Sequence, residues 1–378
     1  MKIANFETEH FFARHEFSTP YQLCNSDCES LSIAELLALA GESPEQLGRQ
    51  RLVYTESQGN PELRQSIADL HAAVNADDVV MLGTPIEGIY LAARTMLNPG
   101  DEVIVLTPAY DALINMFEHI VGAEQVKRWK FVPTATSWQL DLDELRRLVS
   151  PKTRLVVVNF PHNPTGFLPT PEFQQELTAL VEEQGLQLFS DEMYFGLVQA
   201  GTRPIPSAAD LTENAIVLSG LSKTYGLPGL RCGWLIVRDS AIRENIMNWK
   251  FYTSICPPGP TEYLASLALR VGDTLRNRNI TRISGNLEQA DAFFARWPGL
   301  FNWRRPSAGS TALVGYHVSS VSAVSEKLAK EEGVLIQSAC MLGADDQHMR
   351  IGLGRDSFAE ALGKFEDWLN RNADDLRA

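Results

Sequence analysis

The sequence predicts an α/β protein built on a mostly parallel sheet. Short runs rich in Val, Ile and Leu, apolar on both faces, alternate with longer stretches whose apolar residues recur at helical spacing. Between them lie Gly, Pro, Asn and Asp in the combinations that end helices and open strands. Single polar residues also stand directly after several apolar runs, which is where open parallel sheets hold their ligands.

Residues 1 to about 30 read as irregular, followed by an amphipathic segment from Ser32 to Ala40 closed by Gly41. Pro61 to Val74 reads as a helix, with proline at its start and Leu63, Ile67 and Leu70 on one face. The alternation then begins. Strands are predicted over 79–82, 102–106, 155–160, 186–189, 216–218 and 234–237, with helices over 86–96, 110–120, 142–149 and 171–184. Asn98-Pro99-Gly100-Asp101 is a turn from helix to strand. After about residue 240, helical stretches around 261–276 and 280–297 precede strand-like 312–316 and 349–353, with 323–331 and 358–376 helical. That change predicts a smaller α+β domain, formed by 1–45 and 284–378, beside a large domain over 46–283.

The 378 residues suffice for two domains and a substantial core. A net charge of −14 argues against nucleic acid as a partner, because phosphate binding wants a basic face. No apolar run approaches the ~20 residues of a membrane span, and the acidic, broken N-terminus does not read as a signal peptide. The five cysteines (Cys24, Cys28, Cys232, Cys256, Cys340) form neither a disulfide framework nor a metal cluster, which suits a reducing cytoplasm.

One lysine, Lys223, lies between two apolar runs in AIVLSGLSKTYGLPGLRCGWLIV (215–237). Burial there would lower its pKa and leave a nucleophilic amine, the requirement of Schiff-base chemistry. Asn163 and Asp191 likewise follow strands directly. With these residues the chain carries six stretches in order: YTESQGNPELR (54–64), NPGDEVIVLTPAY (98–110), NFPHNPTG (159–166), SDEMY (190–194), SKTYGLPGLRCGW (222–234) and MRIGLGR (349–355). Their order and spacing resemble the class I/II aminotransferases, pyridoxal-5′-phosphate (PLP) enzymes of fold type I, over roughly residues 50 to 355. The resemblance implies a seven-stranded sheet in the large domain, PLP as cofactor, and a homodimer with a shared active site.

It also implies roles. Lys223 would hold the cofactor as an imine and then move the substrate's α-proton. Asp191 would face the pyridine nitrogen and keep it protonated. Tyr194 and Asn163 would bond the ring's phenolic oxygen, Asn163 also meeting the substrate carboxylate, and Tyr110 would stack on the ring. Arg231, Ser222, Thr84 and, less directly, Ser219 would hold the phosphate. Tyr54 would reach the phosphate of the neighbouring subunit, and Arg350 would grip the substrate α-carboxylate with its planar fork. Two departures from the family stand out: Pro85 brings no N–H to the phosphate loop, and Gly220 stands where a phosphate-binding serine is common.

Transamination by a ping-pong mechanism is the expected reaction. Elimination, replacement, racemisation and cyclisation remain open, because fold does not choose among them. A second arginine of the dicarboxylate-specific type is not recognised. The stretch YQLCNSDCES (21–30) brings Asp27 and Glu29 to a segment that closes over the substrate in the family. These carboxylates would favour a cationic side chain; the plainer reading is a solvated loop capping the helix at Ser32. The same stretch resembles capreomycidine-synthase-like enzymes, which makes a lyase or cyclase acting on an arginine-like substrate the alternative. A non-catalytic PLP-binding regulator fits poorly, since residues 1–50 are too short and too acidic for a DNA-binding domain.

Overall fold

Seven strands form the central sheet: β1 (Val79–Leu82), β2 (Glu102–Thr107), β3 (Val126–Lys130), β4 (Thr153–Asn159), β5 (Gln187–Asp191), β6 (Ala215–Gly220) and β7 (Gly233–Val237). Their spatial order in this computed structural model, which describes residues 3–376, is β1-β7-β6-β5-β4-β2-β3. Neighbours are parallel except around β7, which runs antiparallel to both β1 and β6. Successive side chains alternate between two apolar clusters: Val80, Leu82, Val105, Val157 and Leu218 join one, Val79, Met81, Ile104, Val156 and Val217 the other. Both faces are therefore buried, as runs without polar alternation require.

Six of these strands lie within two residues of their predicted bounds. The sequence reading lacks β3, whose Lys127, Arg128 and Lys130 belong to an edge, where charge discourages pairing with other chains. The helix predicted from Pro61 to Val74 stops at Ala68. Leu70 is 48% exposed rather than on the buried face. The chain turns because the Asp210 carboxylate accepts the N–H groups of Ala72 (2.7 Å) and Ala73 (3.0 Å), which competes with helical bonding.

A second, four-stranded antiparallel sheet comprises β8 (Phe301–Asn302), β9 (Thr311–Tyr316), β10 (Gln337–Ser338) and β11 (His348–Gly352), in the order β8-β9-β11-β10. The cluster on one face of the central sheet continues into it through Val314 and Ile351, and into the helix Phe358–Leu376 through Phe365. The helix Gly272–Arg296 touches both Gly259–Arg270 and Phe358–Leu376, so the boundary expected at 283/284 falls inside a continuous element.

The N-terminal segment corrects the sequence reading of an irregular start. Glu7–His15 form a helix, α1, with Thr8 and Phe11 buried. Tyr21–Gln22 then pair in parallel with Val334–Leu335, and residues 23–29 cross over β11 and its exit. That crossing explains both glycines of MRIGLGR. A Cβ at Gly352 would lie 1.7 Å from Asn25 O, and one at Gly354 2.4 Å from Asp27 O. Only glycine lets the two backbones approach so closely.

Candidate active site

The antiparallel β7 decides where the chemistry falls. Because β7 returns beside β6, the loop joining them starts and ends at the same edge of the sheet, the edge where the parallel strands end. Ser222, Lys223 and Arg231 therefore stand beside the exits of β1, β4 and β5, with Thr84, Asn163 and Asp191. A cavity of about 550 Å³ opens there, lined by Tyr110, Asn163, Asp191, Tyr194, Ser222, Lys223, Arg231 and Arg350.

Lys223 Nζ donates to Ser26 Oγ at 2.7 Å. Burial lowers its pKa, more than the nearby Asp27 carboxylate raises it, so the free base is easier to reach than in a solvated lysine. Asp191 is 7% exposed, and its carboxylate accepts the Met193 N–H at 3.0 Å. Burial pushes its pKa up to about 6, against that hydrogen bond and the Lys223 charge. A cationic ring nitrogen beside it would restore the carboxylate form. Tyr194 is buried, which raises its pKa and keeps it a hydrogen-bond donor. Tyr110 is likewise raised by burial and then by Glu9, whose carboxylate accepts its hydroxyl at 2.6 Å.

Asn159, which the sequence reading missed, joins two of these positions. Its amide oxygen accepts the Asn163 N–H at 2.7 Å, and its amide nitrogen donates to Asp191 O at 2.8 Å. It is the first residue of NFPHNPTG, so the motif carried the signal. Arg350, 1% exposed, reaches in from β11. Its Nε and Nη2 donate to Cys24 O (3.2 and 2.9 Å) and its Nη1 to Asn163 Oδ1 (3.3 Å).

The phosphate end is built differently from the family pattern. Arg231 adopts a left-handed backbone (φ 48°), uncommon for a non-glycine residue, after the turn Pro228–Leu230, and its guanidinium donates to Thr84 Oγ1. Glu87, in the first turn of α2 (Pro85–Met96), accepts the Gly83 N–H at 2.9 Å. The two departures noted in the sequence are one packing solution. A Cβ at Gly220 would meet Pro85 Cγ at 3.1 Å and Cys232 O at 2.8 Å, and one at Gly233 would meet Pro85 Cα at 2.8 Å. The Cys232 carbonyl, with Pro85 crowding the same space, leaves no room for a serine at position 220.

Four expectations fare differently. Ser219 is not on the cavity; its hydroxyl donates to Glu192 O (3.4 Å), because alternation turns it to the opposite face of β6 from Leu218. Glu29 also does not line the cavity; its carboxylate turns to Arg355 (3.7 Å) and the Asp356 N–H (3.3 Å). Asp27 does line it, but both its oxygens are taken by Arg355 Nη2 at 3.0 and 2.9 Å. Tyr54 is 86% exposed and stands outside this chain's own cavity.

The residues present fit PLP. The hydroxyls of Tyr194 and Ser222 are buried without a hydrogen-bond partner, although buried polar groups are ordinarily satisfied. They lie on a cavity that also offers a lysine of lowered pKa, a buried carboxylate and a guanidinium. A phosphorylated, aldehyde-bearing pyridine supplies the missing partners.

Comparison with known proteins agrees. The family model "Aminotransferase class I and II" matches residues 22–360, and the chain belongs to that family. A capreomycidine synthase from Streptomyces vinaceus is 29% identical over 350 residues, 91% of this chain and 88% of the relative. An arginine–pyruvate transaminase from Pseudomonas aeruginosa is 28% identical over 314 residues, 79% of this chain and 77% of the relative. Among solved structures, a PLP-dependent aminotransferase from Streptococcus suis superposes with a TM-score of 0.91 at 28% identity, covering 98% of this chain and 99% of the other. The fold is fold type I, and the cofactor is pyridoxal 5′-phosphate.

Proposed function

We propose that the protein is an aminotransferase that moves the amino group of an L-amino acid to a 2-oxo acid in two half-reactions. The observation that carries this reading is the meeting of Lys223, Asp191 and Arg350 on one cavity, although they come from two different sheets. PLP, when bound, draws electrons from the substrate's α-carbon. The protein's part is then to bind, orient and move protons. Arg350 and Asn163 hold the α-carboxylate, fixing which bond at the α-carbon is exposed. Lys223 Nζ takes the α-proton and returns it one step later, helped by a pKa that burial lowers. Asp191 would hold a proton on the ring nitrogen, Tyr194 and Asn163 would bond the ring oxygen, and Tyr110 would cover the ring. Arg231, Thr84 and Ser222 anchor the phosphate.

The same reading makes the protein a homodimer. Tyr54 belongs to an exposed apolar run with Leu52 (90%) and Val53 (59%), and Arg231 also lies open to solvent. A second copy supplying its Tyr54 would close the phosphate end. The large unit is 46–283 and the small unit 1–45 with 284–378, so that Lys223 and Asp191 come from one and Arg350 from the other. A cytoplasmic location accompanies five thiols that form no disulfide. No helix among the described residues is long and apolar enough to cross a membrane.

The test is to incubate loaded enzyme with single amino acids and no acceptor. Transamination converts the bound cofactor to its pyridoxamine form once per site. Continuous ammonia release would support the second reading, an eliminating lyase or cyclase, which is favoured by the similarity to capreomycidine synthase along 91% of this chain.

A further inference from the structure

We infer that Glu16, at the end of α1, reads the cationic side chain of a basic amino-acid substrate. This rests on the aminotransferase reading and names the substrate class of that site. The other charged groups on the cavity are engaged: Asp27 by Arg355, Glu9 by the Tyr110 hydroxyl, Lys223 by Ser26, Arg231 by Thr84, Arg350 by Cys24 O and Asn163, Asp191 by the Met193 N–H. Among the described residues, the Glu16 carboxylate has no hydrogen-bond or ion-pair partner, although the residue is half-buried and lines the cavity. Burial, and next the like charge of Asp27, raise its pKa. The Arg355 and Lys223 charges offset this only in part and neither bonds it directly, so a partly buried carboxylate is left that a cationic ligand would pair.

Its place suits a substrate side chain. Glu9, Phe12 and Glu16 recur at i, i+3 and i+7, one face of a helix, and all three line the cavity. The Phe12 ring lies 5.9 Å from the Arg350 guanidinium carbon. Glu16 stands one turn further along, about 6 Å at the helical rise. A substrate held at its α-carboxylate by Arg350 would therefore find Glu16 displaced along this wall. An independent observation concerns Asn25, which lines the same cavity and is 6% exposed; its amide oxygen is buried without a partner. A carboxylate and an amide oxygen, both lacking donors, match a guanidinium or ammonium group with several N–H. An acidic side chain would be repelled there, and an apolar one would leave both acceptors unpaired.

The experiment titrates PLP-loaded enzyme with arginine, its neutral isostere citrulline, lysine and norleucine, following the cofactor absorbance. The expected result is tighter binding of arginine over citrulline, or of lysine over norleucine, by about 10- to 100-fold, the size of one charge-assisted hydrogen bond. Which pair shows the larger ratio tells guanidinium from ammonium. Glu16→Gln should bring each pair within about threefold, while norleucine binding that is no weaker than in the wild type reports an intact site; Glu16→Asp should retain part of the preference. The inference is overturned if the wild-type enzyme shows no preference within either pair, or if Glu16→Gln keeps the preference. A wild-type enzyme that answers norleucine and citrulline without favouring cations loses this inference and keeps the aminotransferase reading. One whose absorbance answers no amino acid loses both.

Discussion

The two walls of the active site are made by opposite means. One is the set of loops leaving β1, β4, β5 and β6, which carry Thr84, Asn163, Asp191 and Lys223 on a sheet buried on both faces. The other is the N-terminal segment, α1 and residues 23–29, laid over β11 and held by backbone hydrogen bonds such as Gly352 N–H to Leu23 O (2.6 Å) and Glu29 N–H to Gly354 O (2.8 Å). The first wall places each side chain within four residues of a strand end, so its geometry follows from the sheet. The second depends on docking. The difference assigns reaction chemistry to the rigid wall and choice of substrate to the applied one, where change costs the sheet nothing.

That contrast can be broken or sharpened by substitution. The largest effect is expected at Lys223. Lys223→Ala should lower turnover by about 10⁴-fold or more and abolish the borohydride-stable cofactor adduct, with amino-acid binding retained. A variant that still forms the adduct would remove Lys223 from its role. Asp191→Asn should cost about 10²- to 10⁴-fold in turnover, yet the cofactor-free protein should gain stability at neutral pH. The sign follows from the raised pKa. The folded state binds a proton more tightly than the unfolded one, so stability falls as pH rises from the ordinary carboxylate range through about 6, by on the order of 3 kcal/mol. Asparagine removes that loss. Melting curves of cofactor-free wild type and variant at pH 5 and pH 8 check it, and equal differences at both pH values would contradict it.

Where β11 meets the applied wall smaller effects are expected, and on binding more than on turnover. Arg350→Lys loses the fork that bonds Cys24 O and is proposed to hold the substrate, so KM for the amino acid should rise by about 30-fold while cofactor affinity stays near wild type. Weakened cofactor binding instead would tie this arginine to the first wall. Gly352→Ala pushes a Cβ to 1.7 Å from Asn25 O. The loop must shift, at a cost of about 1–3 kcal/mol in stability. The cation preference attributed to Glu16 should fall with it, while the absorbance of bound cofactor persists. Loss of cofactor and preference together would show that the two walls are not separable.

The sequence alone determined six strands of the sheet and most of the residues that meet at the cavity. Strands buried on both faces announce themselves as continuous apolar runs, and residues at their exits are fixed by a few covalent bonds, so spacing within NFPHNPTG, SDEMY and SKTYGLPGLR carries their geometry. The charged edge strand β3 lacked that signature. Tertiary structure alone decided where the N-terminal wall lies and which of its carboxylates lines the cavity without a partner. Asp27 and Glu29 were legible as acidic residues near a site, but the charge of Arg355, more than 320 positions away in the chain, engages both. Glu16 was hidden in a segment read as irregular, because α1 is short and leans on Leu335 and Cys24 for its burial. The pairing of Pro85 with Gly220 was visible only as two separate oddities until packing set them in contact. Short-range bonding fixes what a motif can do; long-range packing fixes which charges remain unpaired, and those choose the ligand.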